Sequence, residues 1–192
     1  MRVIEFLGMP KSGKSTAIEI AESYLKKQGK RVRTVYEGAR VSPLDKKDRF
    51  MYNAWSFHNT VNRILEAKLD HYDFILVDRG VHDHAVFADA IKDMCDERMH
   101  LVQEYYRMFW RVEDEALLYM LTPDEATERE RKNNPFLGRV FDRNFLVNLY
   151  ACYEEWNERC GRTDRYFNGT NSLEENTEHL LRILEGGEEC HI

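Results

Sequence analysis

Val3-Ile4-Glu5-Phe6-Leu7-Gly8-Met9-Pro10-Lys11-Ser12-Gly13-Lys14-Ser15-Thr16 stands near the start of the chain, and everything downstream is placed relative to it. Residues 8–15 fit G-x-x-x-x-G-K-[ST], the phosphate-binding loop, at every fixed position. Gly8 and Gly13 permit backbone angles and close approaches that a Cβ forbids. The loop's N–H groups, around Lys11, Ser12 and Gly13, converge on phosphates, and the following helix adds its positive N-terminal end. In such a loop Lys14 reaches the β- and γ-phosphates, the Ser15 hydroxyl ligates Mg²⁺, and Thr16 sits on the same turn. A β-prone apolar run precedes the loop, and Ala17, Ile20, Ala21, Tyr24 and Leu25 follow it with helical spacing. The expectation is a protein that binds a nucleoside triphosphate, with ATP and Mg²⁺ at this loop.

At 192 residues the chain is long enough for a full core, and residues 1–192 read as one domain. Apolar residues make up 43% of it, with no run approaching a membrane span. A formal net charge of −6 argues against general electrostatic attraction to nucleic acid, although local basic clusters suit anionic small molecules. Cys95, Cys152, Cys160 and Cys190 lack metal-ligand spacing and read as free thiols. A reducing cytoplasm is expected, since the chain opens into a strand without an apolar signal segment.

Downstream, Gly29 reads as a helix C-cap and residues 31–37 as a second strand whose alternation suits a sheet edge. A long helix is expected over 49–69, with Phe50, Ala54, Phe57, Val61, Ile64 and Leu65 as its core stripe. Residues 74–77 form a short, wholly apolar strand, as in a parallel sheet covered on both faces. Helices are traced by Val86, Phe87, Ala90, Ile91 and Met94 and again over 101–112. Residues 116–121 are the next buried strand, and Pro123 opens a charged helix reaching about residue 132. After the interruption at 133–138 come an amphipathic helix from Phe145 to Cys160, a weak strand over 165–168 and a last helix over 173–184. Alternating strands and helices predict an α/β structure with a mostly parallel sheet. Its ligands should bind beyond the carboxyl ends of the strands, where the loop, Glu37 and Asp78 all lie.

Asp78 has the position of a Mg²⁺-organising carboxylate, or else caps the next helix. Arg79 offers a planar fork of donors to a phosphate. Glu37 suits a general base that takes a proton from a hydroxyl acceptor, and equally an ordinary solvated strand end. Arg40 either binds an anionic acceptor or faces water. Arg129 and Arg131, with Arg139 and Arg143 beyond the interruption, suit a lid that closes over the transferred group, while Glu125, Glu128 and Glu130 suit a salt-bridged helix face. Tyr52, Trp55, Asn59 and Asn62 share a helix face able to sandwich a flat heterocycle or to pack on a neighbouring helix. His82-Asp83-His84 diverge around a helix and read as a solvated helix start rather than a metal site.

Taken together, these residues resemble the thymidylate kinase and deoxynucleoside kinase group of phosphate-loop kinases, over most of the chain. Residues 78–88, beginning Asp78-Arg79-Gly80, are similar to the Asp-Arg segment of thymidylate kinases and the Glu-Arg-Ser segment of deoxynucleoside kinases, whose arginine contacts reacting phosphates. Residues 118–126 followed by Arg129 resemble the strand leading into their lid, and Phe136-x-Gly138-Arg139-x-x-Asp142 resembles its far end, with Asp142 in place of Glu. Glu37 matches the glutamate that deoxynucleoside kinases use as general base. Gly80 departs from the usual Ser or Tyr, and no Arg-Glu-Pro-Gly follows the second strand. Lys11 puts a positive charge within the loop, as an arginine does in some thymidylate kinases. The resemblance implies a P-loop kinase fold with a five-stranded parallel sheet of order 2-3-1-4-5, a helical lid over about residues 129–143, and a homodimer. It also implies γ-phosphoryl transfer from ATP to a nucleoside or nucleoside monophosphate. A kinase for another hydroxyl (antibiotic, sugar or polynucleotide end) and a nucleotide-dependent ATPase or switch are the alternatives.

Overall fold

Three apolar runs become the middle of a sheet: β1 (Arg2–Gly8), β3 (Phe74–Asp78) and β4 (Glu115–Met120). The computed structural model describes residues 1–45, 48–91, 99–133, 142–160 and 165–186. The edges are β2 (Val32–Val35) and β5 (Tyr166–Asn168), giving a five-stranded sheet of order β2-β3-β1-β4-β5 with every pair parallel. Register aligns the strand ends: Phe6 lies opposite Asp78, and Gly8 opposite Tyr119. The phosphate loop and the turn after β3 therefore leave the sheet side by side.

Helices α1 (Lys14–Lys27), α2 (Arg49–Leu69), α3 (Val81–Ile91), α4 (Met99–Arg107), α5 (Pro123–Asn133), α6 (Arg143–Cys160) and α7 (Leu173–Leu184) complete the layers. Strand side chains alternate between faces. Ile4 and Phe6 pack with Ala17, Ala21, Leu180 and Leu184 of α1 and α7, whereas Val3 and Leu7 join the layer formed by α2, α3 and α6. Burying each of the Ile, Leu, Val and Phe side chains among them contributes about 1.5–3 kcal/mol. Glu5 shares the second face, in the middle of that layer, and is 0% exposed.

Local signals behave as expected at several ends. Gly29, at φ 74°, closes α1 with bonds from its own N–H to Lys26 O and from Lys30 N–H to Leu25 O, the double-bonded glycine C-cap. Ser172 and Glu175 form a reciprocal capping box on α7. The long helix α2 has the predicted bounds, but its stripe is narrower than its apolar content suggests. Phe57, Val61 and Ile64 are buried, while Leu65 is 45% exposed, because it lies a further 100° round the helix from Ile64. The helix expected over 101–112 is divided into α4 and a 3-10 turn at Trp110–Val112. The second strand is shorter than predicted, and Glu37 leads into a 3-10 turn at Gly38–Val41 instead of closing the strand. Cys152 and Cys160 are half-buried, while Cys95, Cys190, Gly138 and Arg139 lie outside the described residues. Among the described residues no helix is long and apolar enough to cross a membrane.

Candidate active site

The phosphate loop is shaped by its backbone. Gly8 has φ 124°, and a Cβ there would stand 2.0 Å from Tyr119 O, so the glycine lets β1 and β4 run together up to the loop. Gly13, at φ 103°, has open space around it and serves conformation alone. Lys11 also takes a left-handed φ of 62°. The Ser12 hydroxyl donates to Met9 O at 2.8 Å. Among the described residues no side chain caps the start of α1, and its first turn carries no acid, so its N–H groups and its positive end suit an anion.

Lys14 is 6% exposed and donates to Gly8 O at 2.9 Å and Met9 O at 2.6 Å. The loop thus folds over its own ammonium group. Burial and the nearby Arg79 charge lower the Lys14 pKa to about 7. Ser15 and Thr16 are exposed in the first turn of α1.

Beside the loop, β3 ends in Asp78, which is 2% exposed and accepts from Arg40 Nη2 at 2.7 Å. The next residue, Arg79, adopts φ 59°, uncommon for a non-glycine residue, and its N–H donates to Phe6 O at 3.1 Å. Its guanidinium Nη1 donates to Asp83 Oδ1 and Oδ2 at 3.0 and 2.9 Å and to the Tyr153 hydroxyl at 3.4 Å. On the other side, Arg79 Nε lies 3.8 Å from Glu37 Oε2. Burial raises the Glu37 pKa against the opposing pull of Arg79, with Asp83 and Asp78 adding to the rise. Tyr52 donates to Ala39 O at 2.8 Å, and its own pKa is raised by burial and then by Glu37. Loop, Glu37, Arg40, Tyr52, Asp78 and Arg79 are thus brought to one rim of the sheet.

Under that rim lies a group that the sequence reading passed over. Glu5 accepts from the N–H groups of Gly80 (2.7 Å), Asp83 (2.8 Å) and His82 (3.0 Å). Glu113 accepts from Val81 N–H at 3.1 and 3.2 Å. Two buried carboxylates therefore cap the start of α3 and hold the strained turn through Arg79. They also explain Gly80: a Cβ at this position would lie 1.9 Å from Glu113 Oε1 and 2.9 Å from Glu5 Cδ. Burial, then the Glu113 charge, raises the Glu5 pKa well above the usual carboxylate value, and burial raises Glu113 as well. Such a pair titrates as a unit. Glu5, Glu113 and His82 offer ligand atoms within 4.8 Å of one another. Both carboxylates are already committed to the helix N–H groups, whose positive end opposes a cation there. The expected solvated helix start is corrected at the same place: Asp83 and His84 are buried, because α3 begins inside the layer. Burial lowers the His84 pKa to about 4, which keeps the ring neutral beside the Thr60 hydroxyl at 3.5 Å.

On the other side of the loop a cavity of about 310 Å³ opens between α1 and α7, lined by Ser12, Thr16, Ile20, Tyr119, Asn171 and Asn176 among others. Arg129 stands at it, donating to Lys11 O at 3.1 Å and Gly169 O at 2.6 Å. Lys11 pairs with Glu130 Oε2 at 2.7 Å, so α5 is tied to the loop twice. The remaining candidates lie apart from these contacts. Trp55 and Asn59 are half-buried on α2, Arg143 pairs with Asp124 on the surface, and Asp142 caps α6 by accepting from Phe145 N–H at 3.1 Å. Missed by sequence reading were Glu5, Asp83, Glu113 and Tyr153. The usable signal was a lone acid in the apolar run Val3-Ile4-Glu5-Phe6-Leu7.

A scan against protein-family models gives no match, and neither does a comparison with curated protein sequences. Solved structures do match. Deoxyadenosine kinase from M. mycoides, with products dCMP and a flexible dCDP bound, aligns at 19% identity with a TM-score of 0.70, covering 96% of this chain and 99% of that one. The same enzyme with bound dATP aligns at 17% identity and a TM-score of 0.66, covering 96% of this chain and 100% of its own. Thymidylate kinase from Candida albicans aligns at 17% and 0.70, covering 96% and 91%. The suspected resemblance is matched in three dimensions: this chain has the fold shared by the deoxyadenosine and thymidylate kinases, with its phosphate loop at the carboxyl end of β1.

Proposed function

We propose that this protein is an ATP-dependent kinase that transfers the γ-phosphoryl group to a nucleoside or nucleoside monophosphate. The carrying observation is that Arg79 stands at the rim of the phosphate loop with Glu37 on one side and Asp83 on the other. That supports a reading in which an anion-binding fork and a base stand beside a cradle for a phosphate chain. The neighbouring enzymes, described with dATP, dCMP and dCDP, support a nucleotide as ligand class.

The chain's own groups divide the work. The N–H groups of the loop and of α1 hold the donor phosphates, and Lys14 turns from its carbonyl partners to them. The cavity between α1 and α7 takes the donor base, with Asn171 and Asn176 as polar contacts. Glu37, its pKa raised by burial, accepts the proton of an acceptor hydroxyl. Arg79 and Arg40 bind the charge that spreads over the transferred group. An exposed Ser15 hydroxyl and the Asp78 carboxylate are hard oxygen donors that suit Mg²⁺. When bound, the ion neutralises phosphate charge. Exposed Met51, Leu65 and Leu69 on α2 support the expected homodimer.

The test is transfer of label from γ-labelled ATP to a panel of nucleosides, nucleoside monophosphates and oligonucleotide ends. Acceptor-dependent ADP release with a labelled nucleoside or nucleotide product is expected. ADP release at one rate regardless of acceptor would favour an ATPase and sink this reading.

A further inference from the structure

We propose that Asp83 is a positioning residue for phosphoryl transfer: with Tyr153 it grips the Arg79 guanidinium by one nitrogen and presents the opposite edge to the phosphate. This rests on the kinase reading above. Asp83 lies in the first turn of α3, four residues after Arg79, and the turn before the helix brings the two side chains into an ion pair at 2.9 Å. Their ion pair is sheltered, at 15% and 4% side-chain exposure, so solvent screens it little. The Tyr153 hydroxyl donates to Asp83 Oδ1 at 2.6 Å, adding an anchor from α6. Burial pushes the Asp83 pKa up, but Arg79, Lys14 and Tyr153 together bring it below the ordinary value, so the clamp is charged.

All three side-chain hydrogen bonds of Arg79 use Nη1. Among the described residues Nε has only the 3.8 Å ion pair with Glu37, and Nη2 makes no hydrogen bond. The Nε–Nη2 edge is the planar fork that matches two phosphate oxygens. It faces Glu37, the proposed base, across the 3.8 Å ion pair. Asp83 Oδ1 also accepts from Gly8 N–H at 3.2 Å, the first amide of the phosphate loop. One carboxylate therefore fixes both the arginine and the start of the cradle, and sets the spacing between them. Without that clamp the nearest carboxylate to Arg79 is Glu37, and a swing towards it would mask the base and misplace the fork together.

The experiment is a double-mutant cycle with Asp83→Asn and Arg79→Gln, read as kcat and KM for ATP. A misplacement on the order of 1 Å can lower turnover about 10²-fold. Asp83→Asn is expected to lower kcat by about that factor in the wild-type background, with KM for ATP within about twofold, and to add less than about twofold once Arg79 is Gln. Tyr153→Phe, which keeps the carboxylate, should show the same coupling with a smaller loss and serves if Asp83→Asn fails to fold. Arginine side-chain NMR gives a readout independent of turnover, with Arg79→Lys assigning the signal. The Arg79 guanidinium should rotate slowly in the wild type and freely in the Asp83 or Tyr153 variant. Undiminished kcat, additive losses, or equal rotation in variant and wild type would overturn the proposal. A wild type without acceptor-dependent transfer but with a slow Arg79 signal would instead remove the kinase reading and leave the clamp standing.

Discussion

The phosphate loop and the Asp78-Arg79-Gly80 turn stand side by side at the rim, yet they are built in opposite ways. The loop is shaped mainly by its own residues: two glycines at positive φ, a hydroxyl folded back on Met9 O, and a lysine held by loop carbonyls. The turn is shaped by distant side chains. Glu5 and Glu113 hold its N–H groups from across the layer, and Asp83 and Tyr153 hold its arginine. A cradle for many phosphates needs only N–H groups in the right curve. A single arginine with long side-chain freedom needs partners to fix it.

That contrast can be broken first at the loop. Lys14→Ala should lower transfer by about 10³-fold, the upper loss for removing one preorganised donor. Circular dichroism should show the fold retained, since the loop's shape lies in its backbone. Because Lys14 is buried, a stability loss of about 1–3 kcal/mol from its stranded carbonyl partners is also expected. Wild-type turnover in a folded variant would remove the loop from the mechanism.

Glu37→Gln tests the acceptor side. A general base contributes at least about 10²-fold, so kcat should fall by that order while ATP affinity holds. Near-normal kcat would shift the assignment towards an acceptor that already carries a phosphate, with Arg40 and Arg79 dominant.

Gly80→Ala sharpens the account of the turn. Its Cβ would meet Glu113 Oε1 at 1.9 Å, so the carboxylate pair must move, at an overpacking cost of about 1–3 kcal/mol in urea denaturation. Gly13→Ala, with open space around it but φ 103°, should cost less and through the backbone alone. Equal losses would deny that the two regions are built differently.

The acid pair also makes the turn responsive to pH. Glu5 and Glu113 titrate above their unfolded value of 4.5. Between 4.5 and those raised values the folded chain binds more protons than the unfolded one, so this stabilisation is complete below that window and is lost as pH rises through it. The slope approaches about 1.4 kcal/mol per pH unit for one extra proton. Glu5→Gln removes one partner, so its stability deficit relative to wild type should shrink as pH rises. A deficit independent of pH would sink this account of the pair. The smallest expected effect is at Arg143→Ala: its pair with Asp124 is exposed on both sides, and stability should change by no more than about 0.5 kcal/mol.

Legibility in the sequence followed the distance over which each feature is decided. Residues 49–69 and 173–184 were readable to their ends, because apolar spacing and caps act within a few residues. The helix containing Asp83 and His84 was misread as a solvated start, because its burial depends on Glu5 and Glu113. Arg129 was readable as a lid arginine, but not as a donor to the carbonyls of Lys11 and Gly169.

By itself the sequence determined the phosphate loop, the order of strands and helices, and through its pattern the rim where Glu37 and Asp78 meet the loop. Those are consequences of backbone preference and periodicity, which neighbouring residues settle among themselves. Only the tertiary structure decided that Gly80 must lack a side chain, that Lys14 lies under its own loop, and that Arg79 is held by Asp83 and Tyr153. The decisive bonds at the turn join residues some 75 positions apart, Glu5 to Gly80 and Gly8 to Asp83. Parallel strand pairing brings such partners together, and inside the dry layer a buried carboxylate must find every donor within reach.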